Sequence, residues 1–132
     1  MPTLLPVDDL ASLYRATLVK MDRAGGQGTG ARPRGWDKLV DQMQFYQLAL
    51  RVTPDGRSAI TQMVDDPCPT VRNWSAANAL AWDPEVALAA LHREIRSGSG
   101  ASSDAEIILR EHIAGRLNTA WAPAGRPPRR LR

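Results

Sequence analysis

Residues 65–82, DDPCPTVRNWSAANALAW, decide the fold. Asp65-Asp66-Pro67 stops any helix arriving from the N-terminal side, because proline has no amide to donate and its ring collides with the preceding turn. Pro69 then suits the first position of a new helix, where a missing N–H costs nothing and the preset φ helps. From Thr70 onward the run is apolar on several sides, so the helix it forms must be covered on more than one face. It is read as the fourth and central helix, reaching Trp82.

Moving outward toward the N-terminus, Thr53-Pro54 is a second capping residue followed by proline. It starts a short helix that carries Ala59, Ile60, Met63 and Val64. Before it, residues 36–52 form a helix with Trp36, Leu39, Val40, Met43 and Leu50 on the buried side. Residues 24–35, AGGQGTGARPRG, hold five Gly and one Pro and supply almost nothing to bury, so they predict a mobile loop. The first helix spans about residues 8–23, with Asp8 as cap and Leu10, Tyr14, Leu18 and Met21 in its apolar stripe. Toward the C-terminus, Asp83-Pro84-Glu85 repeats the start signal, and Leu88, Leu91 and Ile95 follow at helical spacing. A flexible Gly/Ser link over 97–103 leads to a sixth helix ending near Leu117, with Ser103 and Glu106 as its capping box. No segment alternates apolar and polar residues as a half-buried strand would. The fold class is all-α.

Residues 64–80, VDDPCPTVRNWSAANAL, resemble the HEAT-repeat pattern of a helix end, an Asp-Pro turn, Val-Arg and then small residues. Together with Trp36, WDPEVAL and DAEIILREHIAGRL, the chain resembles a small HEAT-related bacterial domain family of unknown function. The resemblance implies a short α-solenoid, a right-handed array of about six helices packed as antiparallel pairs. It implies one domain over residues 1–118 and a polar ladder between Asp66 and Arg72. It also gives the scaffold a curved surface suited to binding proteins.

The chain has 132 residues, enough for one domain, and its 43% hydrophobic content with four Trp suits a packed core. No apolar run reaches the length of a membrane span, and the N-terminus lacks a signal-peptide pattern; with Cys68 alone, this predicts a cytoplasmic protein. Charge is unevenly distributed. Of 17 Lys and Arg, four (Arg126, Arg129, Arg130, Arg132) fall within residues 119–132, where no acid occurs, leaving 13 cations against 14 acids in residues 1–118. A near-neutral body lacks the footprint of a dedicated nucleic-acid binder. The tail, with three Pro and four Arg, reads as a disordered end that could make weak, salt-sensitive contacts with nucleic acid.

Catalytic chemistry finds no anchor. AGGQGTG fails as a phosphate loop, since no strand precedes it and no Lys-Ser or Lys-Thr follows. His92 and His112 lie on different helices without a second ligand at i+3 or i+4, so neither a metal nor a cofactor is expected. The chain is read as a non-enzyme with no small-molecule substrate. The informative residues are aromatic: Trp74, Asn78 and Trp82 recur every four residues and, with Asn73, are candidates for a partner-binding ridge or for core. The function predicted is a non-catalytic protein-interaction module, in its narrowest form an immunity- or antitoxin-like protein occluding a toxin encoded nearby. The alternatives are a generic HEAT-like scaffold and nucleic-acid binding through the tail.

Overall fold

The computed structural model describes residues 5–25 and 34–132. Among them are six α-helices, two short 3-10 turns and no strand. The helices are α1 (Val7–Arg23), α2 (Trp36–Arg51), α3 (Pro54–Gln62), α4 (Pro69–Ala79), α5 (Pro84–Ser97) and α6 (Ser102–Ile113). The predicted mobile loop falls mostly on residues 26–33, outside the described residues. Its two ends turn at Gly25 and Gly35, both with φ near +80°, where a side chain would strain the backbone.

Helix starts follow local chemistry where proline sets them. The Thr53 hydroxyl accepts the Gly56 amide at 3.1 Å, with Pro54 in the first turn of α3. Pro69 and Pro84 open α4 and α5 in the same way. Two expected caps are corrected. α1 begins at Val7 after Pro6, which leaves Asp8 inside the first turn, where it favours the helix dipole. α6 begins at Ser102 after Ala101, and no side chain caps it, so the Ser103-Glu106 box does not form. The Gly/Ser link is likewise no loose spacer. Ser97 and Ser102 hydroxyls donate to the Glu94 carbonyl, and the Ser99 hydroxyl donates to the Glu94 carboxylate.

α4 is the hub, packing on α1, α3, α5 and α6, while α2 packs on α1 and α3. On one side of α4 lies a cluster of large side chains, Leu10, Tyr14, Leu18 and Met21 of α1 with Met43, Tyr46 and Leu50 of α2, Ile60 and Val71. On the other side the contacts are small, Ala76, Ala79, Ala87, Ala90 and Ala105 around Leu91, which lets α4, α5 and α6 approach closely. Gly56 enables a similar approach, since a Cβ there would strike the Leu50 backbone carbonyl.

The last fourteen residues correct the expectation of a disordered tail. Thr119 and Trp121 cover the polar face of α2, and their carbonyls accept hydrogen bonds from the buried Gln44 amide at 3.0 and 2.8 Å. Gln47 and Arg51 also donate to the Thr119 carbonyl, each at 2.9 Å. Leu131 then packs against the large-side-chain cluster. The physical reason is reciprocal: two glutamines inside α2 need acceptors, and an irregular strand of backbone has spare carbonyls. No described helix is long and apolar enough to cross a membrane.

Candidate functional site

α2 and α4 share α1 and α3 as neighbours, and the gap left between them is closed at one end by α6 and roofed by residues 117–121. The result is a hollow of about 290 Å³. α2 contributes Trp36 and Gln44, and α4 contributes Thr70, Asn73, Trp74, Ala77 and Asn78. α6 adds Asp104, Ile107 and Ile108, and the roof adds Leu117, Thr119 and Trp121.

Three of the four partner-binding candidates meet here, in different roles. Trp74 is half-buried and presents part of its ring to the hollow. Asn73 is buried and donates to the Ala101 carbonyl at 3.0 Å, tying α4 to the start of α6. Asn78 is buried and donates to the Tyr14 hydroxyl at 2.9 Å, which also shares a hydrogen bond with the Ser75 hydroxyl at 3.2 Å. Burial pushes the Tyr14 phenol up to about 12, against the two hydrogen bonds that act in the other direction. Trp82 does not join them. α4 ends at Ala79, so Trp82 leaves the helical register and instead donates its indole N–H to the Thr61 hydroxyl at 2.9 Å. The Arg51 guanidinium covers the Trp82 ring, 5.3 Å from its centroid. The expected ridge is therefore a pair, Trp74 and Asn78.

The Asp66 and Arg72 side chains do not pair with each other. Asp66 receives a two-pronged ion pair from Arg15 at 2.7 and 3.1 Å, and accepts the Cys68 amide at 2.9 Å. Burial alone would raise its carboxyl, but those contacts hold it below its ordinary range. Arg72 donates to the backbone carbonyls of Asp66 and Pro67, both at 3.0 Å, and clasps the Glu94 carboxylate at 2.9 and 3.2 Å. The ladder is thus relayed through backbone: Arg15 to Asp66, then Arg72 to Glu94. It joins α1, the turn before α4, and α5.

The four tail arginines are exposed, and Arg132 donates to the Pro127 carbonyl. Arg126, Arg129 and Arg132 border a second hollow with Lys38, Phe45 and Tyr46 of α2. Among the described residues no group of three His, Cys, Asp or Glu side chains converges as a metal site would require.

Sequence reasoning missed Gln44, Gln47, Asp104 and the roof. One signal was present: Gln44, Gln47 and Arg51 share a helical face at i, i+3 and i+7, a polar stripe beside an apolar one. Comparison of the chain with protein-family models, with curated proteins and with solved structures finds no match.

Proposed function

We propose that this chain is a non-catalytic protein-binding module of HEAT-like helical pairs, and that it contacts its partner through the hollow between α2, α4 and α6. The observation that carries the reading is Trp74, a large aromatic left partly exposed in a preformed apolar recess on the most heavily braced helix. Trp and its like supply much of the free energy of protein interfaces when they enter such recesses. The bracing matters, because a face ordered before contact loses little entropy on binding. An immunity- or antitoxin-like protein occluding a toxin is the narrower form, and it makes the same demand for a rigid, preformed face. A cytoplasmic location fits the free thiol of Cys68.

The test uses Ile107→Arg, since Ile107 rims the hollow and is 50% exposed, so a long charged side chain there should leave folding intact. Stoichiometric capture of a protein from native lysate by the wild-type chain, abolished by Ile107→Arg at unchanged melting temperature, supports the reading. Capture insensitive to the substitution, or no stoichiometric capture, refutes it.

A second reading has its own observation. The docked tail fixes Arg126, Arg129 and Arg132 beside Lys38 and the partly exposed Phe45 ring, cations next to an aromatic face as in single-strand binders. Fluorescence anisotropy with a labelled single-stranded oligonucleotide checks it; affinity should fall steeply with salt and vanish when the four tail arginines become Ser.

A further inference from the structure

The hollow has a sign. Among the described residues its walls carry no Lys, Arg or His, and Asp104 is the one ionisable side chain. The polar side chains buried around it each spend a donor elsewhere: Gln44 on the roof carbonyls, Asn73 on Ala101, Asn78 on Tyr14, and the Thr70 hydroxyl on Asp22. What faces an entering group is aromatic ring, with indole and amide N–H at its edges, and the Asp104 carboxylate. Trp36, Trp74 and Trp121 approach from α2, α4 and the roof, so three separate elements supply rings to one recess. Such a set favours a cation that can lie against rings and donate hydrogen bonds at its edge.

Asp104 adds the counter-charge. It stands in the first turn of α6, half-buried, and no described residue donates a hydrogen bond or an ion pair to its carboxylate. Burial pushes that carboxyl up from its ordinary range, and no described side chain supplies a counter-charge. A guanidinium or ammonium entering the recess would supply it, and desolvation by the surrounding rings would strengthen the pair.

Building on the protein-binding reading above, we propose that the hollow receives the cationic end of a basic side chain of the partner, with Asp104 as counter-ion and Trp36, Trp74 and Trp121 as its walls. Arginine fits best, because its planar guanidinium both stacks on indole and meets a carboxylate with two N–H groups.

The probes are acetyl-arginine amide, its neutral counterpart acetyl-citrulline amide, and tetramethylammonium. The readout is the indole N–H signals of the four Trp in a proton-nitrogen NMR spectrum. Trp82 is an internal control, since it sits outside the recess against Thr61 and Arg51. Acetyl-arginine amide should shift the signals of Trp36, Trp74 and Trp121 and spare Trp82, with the citrulline derivative weaker by about tenfold or more. Asp104→Asn should weaken arginine binding by about tenfold or more while the variant melts no lower than wild type. Ile107→Arg, which puts a guanidinium at the mouth, should abolish probe binding. Equal binding of citrulline, or full affinity in Asp104→Asn, overturns the assignment. A site that takes tetramethylammonium more tightly than the arginine derivative overturns the side-chain part, since it would then serve a free organic cation. If the probes fail while Ile107→Arg still abolishes partner capture, the cation assignment falls and the protein-binding reading stands.

Discussion

Raising the pH from 8 to 12 isolates the buried phenol at the centre of the molecule. Tyr14 is fully buried, and its hydroxyl joins Asn78 of α4 at 2.9 Å and Ser75 at 3.2 Å. Burial lifts its pKa from 10.0 to about 12. The unfolded chain therefore loses this proton near pH 10 while the native chain keeps it for roughly two further units. Over that interval the native state binds more protons, so its stability declines as pH rises. The contribution is intact below pH 10 and lost between pH 10 and 12, at about 1.4 kcal/mol per unit, or about 3 kcal/mol in all.

Tyr14→Phe supplies the reference, because it removes this titration and leaves that of Tyr46 in place. At pH 8 the variant should be less stable by about 1–3 kcal/mol, since the buried Asn78 amide loses its acceptor. By pH 12 that gap should close or reverse. Urea unfolding followed by Trp fluorescence at half-unit steps gives both curves. Parallel wild-type and variant curves between pH 10 and 12 would refute the argument, because they would mean that Tyr14 ionises as readily in the native state as in the unfolded one.

Deleting residues 119–132 should lower stability by about 2–4 kcal/mol, because Gln44, Gln47 and Arg51 lose the Thr119 carbonyl and Leu131 leaves the core; calorimetry should show a melting temperature several degrees lower. Gly56→Ala should cost about 3 kcal/mol or more in urea titration, since the added Cβ meets the Leu50 carbonyl, which is backbone and cannot rotate away. Arg72→Met should cost about 2–4 kcal/mol by strips of lost bonds to two carbonyls and Glu94. Arg15→Met, whose side chain is 44% exposed, should cost about 1 kcal/mol or less, measured in the same way.

What could be read in advance followed contact range along the chain. Thr53 caps an amide three residues away, and Pro54, Pro69 and Pro84 act on their own turns, so four or five residues of text suffice to place these starts. The Asp66–Arg72 pairing failed because each side chain found its charged partner elsewhere: Arg15 stands 51 positions from Asp66, and Glu94 stands 22 from Arg72. Trp82 failed for a subtler reason. Four-residue spacing makes a ridge only while the helix lasts, and α4 stops at Ala79, so the Trp74-Asn78 step holds and the next does not. Gln44 and Gln47 are polar and buried only because the docked tail supplies acceptors, and its Pro and Arg content argued for a solvated end. The hollow inherits both failures, since its roof is that tail and its charge is an aspartate marked by nothing local.

The polar side chains of α4 show how the hollow keeps its shape. Thr70 bonds Asp22 of α1, Arg72 bonds Glu94 of α5, Asn73 bonds Ala101 before α6, and Ser75 and Asn78 meet Tyr14 of α1. Alanine-rich contacts toward α5 and α6 would tolerate small slides, because their surfaces are nearly smooth, whereas hydrogen bonds between buried groups admit one arrangement. Asn73 tests the point most directly. The Ala101 carbonyl takes both its amide and the Ala105 N–H, and Asp104 lies three residues beyond, so this bond fixes the carboxylate relative to Trp74. Asn73→Ala should cost about 1–2 kcal/mol of stability and also weaken acetyl-arginine amide by a few fold, although Asn73 spends its donor away from the recess. Asn73→Ser, short enough to leave the Ala101 carbonyl to a water, should recover part of the stability and little of the affinity. Loss of stability with affinity untouched would show that α6 holds its position through the alanine contacts alone, and that the bond is a fastening without a part in shaping the site.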